Sequence, residues 1–208
     1  ARCEPFDRGL KVGCPEIGDG AKQRLPITWT NCAAPTSSIS AGSASMGLAW
    51  PPPGGPCTGP NPTDRGKLGS KRHLITDRQG IPLMFCVTRA NCHDSVVFDE
   101  LVDALPAVRG KPGRPRRWPG KLHADKGYDY RRCRAHLKRR GIRDRIARKG
   151  IERNDRLGRH RWVVERTHPW LAAFSKLRTR FERRIDVHVA LLSLAFSVIC
   201  LRTLEPFC

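Results

Sequence analysis

The chain has 208 residues and carries 39 Lys and Arg against 19 Asp and Glu, a formal net charge of +20. The length suits one domain with an appendage, and an apolar share of 39% is enough for a core. The opening residues lack the apolar stretch of a secretory signal. The longest apolar run, Val187 to Leu201, is broken by His188, Ser193 and Ser197 and reads as a buried helix rather than a membrane span. These features exclude exported and membrane classes and point to a polyanionic partner in the cell interior, most simply nucleic acid.

In chain order, residues 1–63 hold five basic and four acidic side chains and are rich in Pro, Gly and Ser. Trp50-Pro-Pro-Pro-Gly-Gly-Pro56 suits neither helix nor central strand, so residues 1–57 are expected to be irregular. Residues 64–208 hold 34 basic and 15 acidic side chains, nearly all of the excess. The folded part opens with a β-hairpin, His73 to Thr76 and Pro82 to Val87, joined by a turn over Asp77 to Gly80. A helix is predicted over 94–105, capped by Asp94 or Ser95 and stopped by Pro106. Next comes a basic loop with Lys111, Arg114, Arg116 and Arg117, free to lie along a phosphate backbone. Lys121 to Ala124 reads as a strand ending at Asp125. A basic helix follows from about Tyr130 to Arg140, behind an Asp129 cap and ended by Gly141. Ile142 to Ala147 reads as another strand, and two helices close the chain, 161–180 and 186–202. The pattern is that of an α/β domain with helices packed on a mixed sheet. Nine cysteines without a C-x-x-C pair read as reduced thiols rather than zinc ligands.

Two carboxylates stand out in so basic a chain. Asp125 lies at a predicted strand end, where α/β folds assemble sites, with Gly127 allowing a tight turn beside it. Glu165 lies on a helix face shared with Arg161, His168 and Ala172. Pro169 removes the N–H that would bond the Glu165 carbonyl, so the helix should bend there. A strand-end Asp and a helix Glu could together hold magnesium, which prefers carboxylate and phosphate oxygens. The alternative is structural: Glu165 pairs with Arg161 or Arg166, and Asp125 caps a turn.

At these residues the chain resembles the DDE-type transposases of bacterial insertion sequences, in the group of insertion sequence five. The matching stretches run from Thr58 to His73, Thr88 to Asp94, Leu122 to Asp129, Arg145 to Arg148 and Gly158 to Thr167. The resemblance implies an RNase H-like domain over 58–208 that cuts the ends of a mobile element and joins them to target DNA, using Mg2+. It implies that Asp125 and Glu165 are the second and third members of a carboxylate triad and that Arg161 sits near the scissile phosphate. DNA contacts are expected from Lys126, Lys138, Arg139 and Arg140 as well as the 109–117 loop. The partners implied are element ends, target DNA and other copies of the chain on DNA, with no membrane; the location implied is the bacterial cytoplasm, at the nucleoid. The family's first Asp belongs on a strand shortly before Thr58, yet no Asp occurs between residues 20 and 63. The domain is therefore expected to lack its first strand, with residues 1 to about 56 translated out of the ancestral frame or belonging to a decayed copy, and to bind metal weakly.

Overall fold

A computed structural model of the chain describes residues 38–47, 54–105, 118–150 and 158–204. Six strands build one mixed sheet: β1 (Ser38–Gly47), β2 (Gly59–Pro60), β3 (Leu68–Asp77), β4 (Pro82–Arg89), β5 (Lys121–Ala124) and β6 (Arg143–Ile146). β1 lies at its centre, antiparallel to β3 and parallel to β5. β4 and the short β2 pair antiparallel with β3 on one side, and β6 runs parallel to β5 on the other. This is the RNase H-like α/β arrangement that the resemblance implies.

β1 corrects the expectation of a missing first strand. Serine, alanine and glycine give Ser38–Gly47 little strand preference of its own. Its partners supply the hydrogen bonds along both edges, and small side chains let layers close over both of its faces. Ile39 and Ala41 join Leu122 and Ala124 in the core. Residues 1–37 and 48–53, also expected to be irregular, lie outside the described residues.

The hairpin forms as its turn residues predict. Asp77 Oδ1 accepts the amides of Gln79 and Ile81 at 2.8 and 2.9 Å, and Gly80 adopts φ +85°. A Cβ at Gly80 would also press on Thr167 Oγ1 at 3.2 Å, and that hydroxyl donates to the Gly80 carbonyl at 2.7 Å. Glycine is thus required both by backbone conformation and by close packing.

The helices depart from their predicted bounds where side chains find other partners. The helix expected over 94–105 shortens to α1 (Phe98–Asp103), preceded by turns. Asp94 is taken by Lys71 at 3.2 Å, so it does not cap. α2 (Arg131–Arg139) starts behind Tyr130 without a side-chain cap. Asp129, the expected cap, instead accepts from Arg134 at 2.7 Å and from the Lys149 amide at 2.9 Å. The helix expected over 161–180 divides into α3 (Gly158–Ala172), which contains Pro169, and α4 (Ser175–Arg178). Extended backbone at Phe174 makes the break and lets Leu177 turn into the core. α5 (Ile185–Leu204) follows.

α1 and α2 cover one face of the sheet, where Phe98, Leu101, Cys133 and Leu137 pack on Ile75 and Leu122. The opposite face carries α3, α4 and α5, with Leu171, Leu177 and Leu192 against Leu74 and Val87. α5 is long and apolar enough by composition to cross a membrane, but it serves as a core helix: Phe196 meets Phe85 edge to face at 4.8 Å. Buried Arg180 ties this face together. Its guanidinium donates to the carbonyls of Pro56, Glu182 and Arg183 and to Ser70 Oγ, all at 2.8–2.9 Å.

Candidate carboxylate site and basic edge

Asp125 follows β5 and caps the single 3-10 turn Lys126–Tyr128, its Oδ1 accepting the Lys126 amide at 2.6 Å. Gly127 does not need its glycine freedom there, since its φ is not positive and a Cβ would only touch Asp94 Oδ2 at 3.5 Å. The parallel register pairs Ala41 with Ala124, so Gly42 continues β1 just where Asp125 leaves the end of β5. Ala41 and Ala124 face the α1–α2 layer. By alternation Gly42 faces α3. A Cβ on Gly42 would lie 2.7 Å from Val164 Cγ1. Glu165, the next residue of α3, is exposed. Asp125 and Glu165 therefore belong to elements that meet over β1, and the β1 residue at the meeting point has no side chain.

The oxygen donors implied for magnesium would be Asp125 and Glu165. Ser38–Gly47 contributes no carboxylate. No group of three or more His, Cys, Asp or Glu able to hold an ion occurs among the described residues. Asp94 does reach the turn after Asp125, but Lys71 holds it and His73 Nδ1 stands 3.9 Å away. Two ions about 4 Å apart need carboxylates that bridge and flank them. The described residues do not fit such a site.

Beside Glu165, polar groups are drawn under α3 and against the sheet. His168, expected on the open polar face, is largely covered, and burial with Arg72 nearby pushes its imidazole down to about 4. His188 is likewise lowered to about 4 by burial, then by Arg180 and Arg72. Arg72 is buried as well, its guanidinium lowered to about 10, and its Nε and Nη1 lack hydrogen-bond partners. Arg166 donates to the Gln79 carbonyl and lies over the Trp170 ring at 4.7 Å.

The residues expected on DNA meet different fates. Lys111, Arg114, Arg116 and Arg117 lie outside the described residues, as does the side chain of Arg161. Lys126 is half-buried, whereas Lys138 and Arg139 are exposed on α2. Arg140 is committed to structure: it holds Asp103 through Nε and Nη2 at 2.9 and 2.8 Å and covers Trp118. Arg131, Arg143, Arg145 and Arg148, not singled out individually from sequence, are exposed along α2, β6 and the segment beyond it. The density of arginines over 131–150 was their only signal. For Gly42 the sequence held no usable signal, because its position became meaningful only through strand register.

The family model described as Transposase DDE domain matches residues 38–200, beginning at the first residue of β1. The protein named "Putative transposase for insertion sequence element IS402" in Burkholderia cepacia is 50% identical over 152 residues, 73% of this chain and 72% of that protein. The transposase for insertion sequence element IS1106 of Neisseria meningitidis serogroup B is 33% identical over 111 residues, 49% of this chain and 35% of its own length. With its sheet order and a family match across most of its length, the chain belongs to the DDE transposase domain family.

Proposed function

We propose that this chain binds insertion-sequence and target DNA as a member of a transposition system, with its capacity to cut and join DNA slight or lost. The observation that carries this reading is Gly42: it follows the β1 residue paired with Ala124, a Cβ there would meet Val164 Cγ1 at 2.7 Å, and β1 brings no carboxylate to the site. The surplus of arginine needed for phosphate contacts is retained, and Arg suits bidentate phosphate binding. Metal-dependent cleavage of element ends and strand transfer is the second reading, favoured by Asp125 and Glu165 in their family positions. In either reading the protein works in the bacterial cytoplasm at the nucleoid and self-associates on DNA. A shifted reading frame would account for a first strand without Asp. Translating the DNA upstream of codon 58 in the other two frames should then reveal an apolar strand that contains one; its absence from both would refute the frame shift.

Incubation with labelled element ends and magnesium separates the two functional readings. The wild type is expected to bind, with affinity falling about 0.9 log unit per phosphate contact for each log unit of salt. It is expected to nick no faster than Asp125→Ala or Glu165→Ala. Nicking by the wild type that either substitution abolishes would establish the active enzyme instead.

A further inference from the structure

We infer that the groove between α2 and the edge strand β6 is a track for the phosphate backbone of duplex DNA. It is a broad depression of about 710 Å³, lined by Arg131, Arg134, Lys138, Gly141, Arg143 and Asp144 among others. Arg131, Arg134 and Lys138 form one stripe of α2, at the spacing that puts side chains on a single helix face.

The carboxylates near this groove are already used. Arg134 pairs with Asp144 across the groove and with Asp129 at 2.7 Å, and it also donates to the Ile146 carbonyl at 3.0 Å. That network pins α2 to β6 and neutralises Asp144 internally. Arg131, Lys138 and Arg143 are then left exposed with no carboxylate among the described salt bridges. Arg143 makes only a 3.4 Å contact from Nε to the Gly120 carbonyl. Arg131 and Lys138 are seven residues apart, about 10 Å along the helix, close to three axial phosphate steps of one DNA strand.

Charge decides the occupant. β6 is a sheet edge among the described strands, and an edge can recruit a second copy by strand pairing. Here its first three residues are Arg143, Asp144 and Arg145, all exposed, and such a charged edge resists pairing with itself. A polyanion meets no such penalty. The choice of DNA over RNA rests on the family reading above; the cationic groove does not.

The test uses the full chain, a fluorescent duplex of arbitrary sequence, and anisotropy titrations across a salt series. Replacing Arg131, Lys138 and Arg143 together by Gln should weaken binding at least about tenfold and flatten the log–log salt slope by roughly 2.7, three contacts at 0.9 each. The conservative set Arg131→Lys, Lys138→Arg and Arg143→Lys should retain the wild-type slope. A control set of equal charge, Lys176→Gln, Arg178→Gln and Arg202→Gln, should leave it unchanged. Equal losses in both Gln sets would overturn the groove in favour of diffuse electrostatics. Tighter binding of RNA than of DNA, or a change in self-association without a change in DNA affinity, would overturn the assigned occupant. A wild type that binds no DNA at all would refute the family-level functional reading rather than the groove alone.

Discussion

At the α2–β6 edge the acidic groups are consumed by structure and cations are left over. At the junction of β1, β5 and α3 the carboxylates at hand are Asp125 and Glu165, and β1 contributes Gly42 there and no carboxylate. The first arrangement is tolerant, because phosphate attraction depends on charge density and survives the loss or movement of one arginine. The second needs carboxylates at fixed positions, and Ser38–Gly47 supplies none. A chain can therefore keep a family's affinity for DNA while its cutting centre is incomplete.

The largest effect should come from the group that joins β3 to the segment after β1. Arg180→Ala would remove the donor to three part-buried backbone carbonyls and leave Ser70 Oγ only its bond to the Cys57 carbonyl, and would empty the space of a fully buried side chain, costing about 3–5 kcal/mol in urea denaturation. It would act through stability alone, so DNA affinity of the remaining folded protein should be unchanged; selective loss of binding would break the separation drawn here.

Gly42→Asp should cost about 1–3 kcal/mol, because its Cβ meets Val164 Cγ1 at 2.7 Å. Adding Val164→Ala should recover part of that loss by making space. Full stability in the single variant, read by thermal melting, would show that α3 yields readily and that the closed space is not a barrier.

Acid should act on the α3 side of the sheet and on His73 beneath the other layer. His73, His168 and His188 are each held near 4 chiefly by burial, below the ordinary 6.5. Neutral in the folded chain, they protonate more readily when unfolded, so stability is full above about 6.5 and falls as pH drops toward 4. The expected loss between pH 7.5 and 5 is about 1–2 kcal/mol per imidazole. Asp77, whose carboxyl is raised by burial, opposes this, but three imidazoles outweigh one carboxyl. Urea midpoints that rise on acidification would contradict the burial of these histidines. The smallest effect is local: Gly80→Ala should cost about 1 kcal/mol through its φ of +85°, and no change would mean that the turn refolds freely.

The sheet's later strands were legible because apolar runs and turn residues agreed, as at Asp77 to Gly80. β1 was not, since Ser38–Gly47 is a strand only by virtue of β3 and β5 on either side. The cap at Asp129 and the single helix over 161–180 failed for a related reason. Arg134 and Lys149 claimed the aspartate, and burial of Leu177 and Arg180 outweighed helical continuity. Asp125 and Glu165 were visible as acids in a basic chain with matching motifs. Gly42 could not be, because an absent side chain leaves no pattern to read.

The described carboxylates do not complete a metal site, and manganese binding measured by electron paramagnetic resonance tests this most directly. The wild type should show no saturable site that depends on Asp125, whereas Gly42→Asp with Val164→Ala should gain one that Asp125→Ala removes. A saturable wild-type site abolished by Asp125→Ala would contradict the claim.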